Sequence, residues 1–101
     1  MGNPDMGGYQ PPEAEQSELA TQINERANNA SEKIQKRVAD VIIPTLNQAG
    51  TYGTRWLNGM KNDFYILVEN PDDESGGGNY QGWTGDEIRE LFSVLYGEEM
   101  D

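Results

Sequence analysis

The sequence contains no cysteine and no histidine. Disulfides, thiolate metal sites, thiol nucleophiles and imidazole proton shuttles are therefore excluded together. A serine–histidine or cysteine–histidine enzyme has no base to work with. Apolar residues are also scarce, at 35% of the 101 positions, below the share of an average compact domain. No run approaches the ~20 apolar residues that a membrane-spanning helix needs. The start, Met1-Gly2-Asn3-Pro4-Asp5-Met6, lacks the basic region and apolar core of a secretion signal. The expected location is cytoplasmic or virion-associated.

What the chain does have is negative charge, and its distribution is uneven. Formal net charge is −11, from 18 acidic and 7 basic residues. Residues 1–62 carry seven acids and six bases, whereas residues 63–101 carry eleven acids and Arg89 alone. Phosphate contacts supply much of the affinity for nucleic acid, so direct nucleic-acid binding is not expected of such a surface. Anionic lipid is disfavoured for the same reason. A basic partner would be drawn in faster, and surplus charge also serves plain solubility. The acidic surface to examine is Asp72, Asp73, Glu74, Asp86, Glu87, Glu90, Glu98, Glu99 and Asp101.

Residues 1–12 hold three glycines and three prolines and read as an extended arm, either flexible or docked on a neighbour through Tyr9 and Met6. Residues 13–101 read as one small domain. Within it, Leu19, Ile23, Ala27, Ala30, Ile34, Val38 and Val41 recur with spacings of 4, 4, 3, 4, 4 and 3 residues. That eleven-residue rhythm predicts a single nearly straight helix over 13–43. Acids crowd its first turns and Lys33, Lys36 and Arg37 its last, in keeping with the helix dipole. The stripe is narrow and long, and suits a partner helix approaching over the two alanines. Pro44 is expected to end or kink the helix.

Residues 44–83 read as irregular with a short β-hairpin-like element. Gly50, Gly53 and Gly59 punctuate the first part, and Asn58-Gly59 is hairpin-turn chemistry. Phe64-Tyr65-Ile66-Leu67-Val68 is a continuous apolar run of strand length, and Asn79 to Trp83 is placed to return beside it. Trp56 is an anchoring aromatic, for the core or for a partner. The last element, a helix over 85–96, carries its own start signal. Thr84 and Glu87 form a capping box, Trp83 and Ile88 occupy the positions of a hydrophobic staple, and Gly97 is a C-cap. The fold class expected is thus α+β, dominated by helix.

No cofactor or metal is expected. Asp72-Asp73-Glu74 lies beside three glycines, but read as a calcium loop it puts Trp83 where the bidentate acid must stand. Gly76-Gly77-Gly78 has no following Lys-Ser/Thr to hold phosphate. The function expected is non-enzymatic: a protein-interaction or assembly component, of the small structural kind found in virions and phages, docking or self-associating through the long helix. The alternative is an acidic mimic of nucleic acid that inhibits a DNA- or RNA-binding enzyme.

Overall fold

The computed structural model describes the backbone of residues 12–100, with side chains from Glu18 onward. Tyr9, Met6 and Asp101 lie outside the described residues. Among the described residues five α-helices follow one another: α1 (Pro12–Ala27), α2 (Glu32–Arg37), α3 (Ile43–Ala49), α4 (Gly53–Leu67) and α5 (Gly85–Tyr96). A π-helical turn over Val38–Ile42 joins α2 to α3, and a 3-10 turn over Gly50–Tyr52 joins α3 to α4. Among the described residues there is no strand, so the expected α+β class and its hairpin are overturned.

The expected long helix breaks in its middle. Asn28, Asn29 and Ala30 turn the chain, and Ser31 is extended (φ −64°, ψ 159°) at the N-cap of α2. Asparagine and serine bond readily to nearby backbone and are weak helix formers, so three such residues among four positions yield to a turn. The Gln35 amide donates to the carbonyls of Asn28 and Ala30 and closes that turn. α1 contacts α2, α3, the 50–52 turn and α5, the contact set of a helix folded back antiparallel along its successor. The stripe survives the break because both arms of the helical hairpin aim the same positions inward.

Pro44 does not end the helix. Proline lacks the amide donor, and its ring crowds the carbonyl four residues earlier. The π turn immediately before it loosens that stretch and makes room for the ring of Pro44 in the first turn of α3. Ile43, the residue before proline, stays helical at φ −64°, ψ −46°.

The stretch expected to be irregular and then a strand is helix α4. Leu57, Met60, Phe64 and Leu67 recur every three or four residues, and Leu57, Phe64 and Leu67 are buried. The run from Phe64 to Val68 looks continuous because it straddles two faces. Ile66 in its middle is 48% exposed and Tyr65 39%. Gly59 sits within α4 facing open space, not in a hairpin turn. Residues 68–84 form successive turns rather than a returning strand. Gly76 is wedged so tightly that a Cβ there would meet Leu67 at 2.8 Å, and Gly77, Gly78 and Gly82 take positive φ.

α5 begins and ends as its sequence requires. The Glu87 amide donates to Thr84 Oγ1 at 3.2 Å, and the Thr84 amide donates to Glu87 Oε1 at 2.8 Å. Trp83 and Ile88 are both buried in the core, and Gly97 caps the helix at φ 68°. The core lies where α1, α2, α4 and α5 converge. Phe64 is its centre, with its ring edge-to-face against Tyr80, Phe92 and Tyr96 at centroid distances of 5.9, 6.1 and 6.1 Å.

Candidate functional site

The stripe expected to meet a partner is largely used by the chain itself. Ile23, Ala27, Ile34 and Val38 are buried in the core, and Leu19 and Ala30 are half-buried against it. They cover the aromatic and aliphatic faces of α4 and α5. Of the other described members of the expected interaction surface, Val41 is 39% exposed and Trp56 is half-buried. These two, distant in sequence, line the same cleft.

That cleft has a volume of about 330 Å³ and runs between the π turn and α4. Its floor is Ile42, Phe64 and Leu67. Val41, Trp56 and Met60 form its walls, and Ser75 to Tyr80 close one end. A second hollow of about 430 Å³ lies over Lys33, Lys36, Asp40 and Trp83, and shares Arg37, Val41 and Asn79 with the first. The two hollows meet at Arg37, Val41 and Asn79, one largely apolar and the other bordered by Lys33, Lys36 and Arg37, and are together called the groove.

Helical spacing explains the groove's composition. Positions 33, 37 and 41 recur every four residues on one face, beside the buried positions 34, 38 and 42. Arg37 stands at the junction. Its Nη2 donates to the Asn79 carbonyl at 2.8 Å, and its guanidinium lies 5.1 Å from the Tyr80 ring centroid and 5.0 Å from that of Trp83. The positive φ of Gly77 and Gly78 turns the loop so that Asn79 reaches this arginine. Lys33 Nζ sits 4.8 Å from the Trp83 ring and 3.0 Å from Glu87 Oε1. Burial raises the Tyr80 phenol, against a smaller downward pull from Arg37. The Ser75 hydroxyl, which borders the apolar end, is buried beside Asp73.

The acidic surface is dispersed, and much of it holds the fold together. Asp73 accepts from the Ser75 amide at 2.9 Å, a bond that holds its carboxyl below the usual range. Glu87 is lowered chiefly by the Thr84 amide and then by Lys33. Glu90 accepts from the Ser31 amide and hydroxyl at 3.1 and 2.8 Å. Glu98 pairs with Lys61 at 2.6 Å and Asp86 with Arg89 at 3.6 Å. The side chains of Asp72, Glu74 and Glu99 extend from the surface without such partners.

Among the described residues no group of three or more acids is placed to hold a metal ion, and no helix is long and apolar enough to cross a membrane. The groove sets an apolar hollow beside a stacked arginine. Sequence reasoning missed Arg37, Met60, Asn79, Tyr80 and Trp83 as one surface. The spacing of Lys33, Arg37 and Val41 was visible, but their juxtaposition with residues 79–83 depends on how the glycine loop turns. Compared with known proteins, the chain matches no family model, no curated protein and no solved structure.

Proposed function

We propose that this chain is a non-enzymatic protein-interaction module that receives its partner in the groove between the π turn, α4 and the glycine-rich loop. The observation that carries this reading is the meeting of exposed Val41 and half-buried Trp56 with Arg37, Tyr80 and Trp83 around two adjoining hollows. Tryptophan, tyrosine and arginine in a partly desolvated pocket are the composition of binding hot spots. An assembly role, in which the partner is a larger scaffold, is one form of this reading. The interaction surface moves from the helical stripe to the groove, because the stripe already covers the chain's own core.

The acidic-mimic alternative draws less support. Of its nine carboxylates, Asp73, Asp86, Glu87, Glu90 and Glu98 are engaged within the molecule, which leaves Asp72, Glu74 and Glu99 as the free acids among the described residues.

A photo-crosslinking side chain tests the proposal. Placed at position 41 it should form a discrete protein adduct in an extract of the native cell, and placed at the exposed position 47 on α3 it should not. Equal adducts from both positions, or none from 41, would overturn it.

A further inference from the structure

Resting on that reading, we infer that the groove's partner is an amphipathic helical segment carrying a carboxylate one turn away from a large apolar side chain. The carboxylate meets Arg37 and Lys36, and the apolar side chain enters between Val41, Trp56 and Met60.

Charge complementarity points to this occupant. Lys33, Lys36 and Arg37, three of the chain's seven basic residues, border one hollow. Two are only partly occupied. Lys36 reaches Asp40 at 3.9 Å and is 79% exposed, which is a weak pair. Arg37 spends one Nη2 hydrogen on the Asn79 carbonyl, and its remaining N–H groups are left to donate to a carboxylate. Its stacking on Tyr80 and Trp83 fixes the guanidinium in advance, so little side-chain entropy is lost on binding.

The spacing selects a helix. Arg37 and Val41 are four residues apart, about 6 Å along a helical axis. A partner helix presents an acid and an apolar side chain at the same interval when they are three or four residues apart. Asp40 and Asp63 also border the groove. With the −11 total, they would repel an extended polyanion such as nucleic acid, whereas a single carboxylate meets the cations locally. The rest of the partner is therefore neutral or basic.

Selection from a displayed library of random 14-residue peptides on the full chain tests this. The selected peptides should carry Asp or Glu three or four residues from Leu, Phe, Met or Trp. Replacing that acid by its amide should weaken binding about tenfold, equivalent to about 1.4 kcal/mol, and should change nothing further on Arg37→Gln. Because Arg37 also holds Asn79, Lys36→Glu serves as a second variant, and it should weaken the acidic peptides several-fold. Peptides that require Val41 but lack an acid, or whose amide forms lose as much on both variants as on the unsubstituted chain, would overturn the partner's chemistry alone. Peptides that bind Val41→Glu undiminished, or no enriched peptides at all, would overturn the groove itself.

Discussion

Arg26, in the last turn of α1, caps the far end of the chain: its Nε donates to the Val94 carbonyl at 2.6 Å and its Nη2 to that of Leu95 at 3.1 Å. α5 has no basic residue in its own last turn, so the cation that satisfies its orphan carbonyls comes from another helix. Glu90 of α5 returns the service at the start of α2 through Ser31. Arg26→Gln should lower stability by about 1–2 kcal/mol, read as a shift in the denaturation midpoint with an unchanged slope.

Two glycines should respond to alanine in opposite directions. Gly59 faces open space inside α4, so Gly59→Ala should stabilise by about 0.5–1 kcal/mol through helix propensity alone. A Cβ at Gly85 would meet the Val68 carbonyl oxygen at 2.7 Å, where backbone must move. Gly85→Ala should destabilise by about 1–3 kcal/mol, although alanine suits the first turn of a free helix. Thermal melts of the two variants measured together check the sign.

Acid should weaken the start of α5. In the folded chain the Glu87 carboxyl is held below its ordinary value of 4.5, first by the Thr84 amide and then by Lys33. A depressed folded value means the stabilisation is complete above the unfolded value and fades as pH falls below it through the folded value. Glu87→Gln should therefore narrow its stability gap from the unsubstituted chain as pH is lowered from 6 to 3. Urea midpoints across that range give the measurement. A gap that widens with acid contradicts the assignment.

Ile34→Asp and Val41→Glu separate core from surface on one helical run. Ile34 is wholly buried, and an unpaired carboxylate there should cost more than about 4 kcal/mol, leaving the chain largely unfolded. Val41 opens to solvent, and its substitution should stay within about 0.5 kcal/mol. Far-ultraviolet circular dichroism distinguishes the two. A folded Ile34→Asp that merely changes oligomeric state by light scattering would restore the stripe as an intermolecular face.

What was legible in the sequence was local. The start of α5 was, because Thr84 and Glu87 lie three residues apart and satisfy each other wherever the helix goes. The inward stripe was legible too, but its partner was not. A spacing that keeps one face apolar fits a continuing helix and a helical hairpin equally well, and only the asparagines at 28 and 29 marked the turn. α4 was hidden by its glycines and by Phe64 to Val68, where exposed Tyr65 and Ile66 stand between core residues and erase the helical period. The groove was least legible, since Arg37 meets Tyr80 and Trp83 through a loop whose path depends on positive φ at consecutive glycines.

The two capping ties join residues 59 to 69 positions apart in the chain, and this imposes an order on biosynthesis. A nascent chain ending anywhere before α5 has an α1 whose arginine finds no carbonyls and an α2 whose N-cap, Ser31, finds no carboxylate. Ile23, Ile34 and Val38 then stand uncovered on the emerging hairpin. Non-local closure of this kind is slow, and the exposed apolar surface invites misassociation. The interval between translation of α1 and release of α5 from the ribosome is when this apolar surface stands most open.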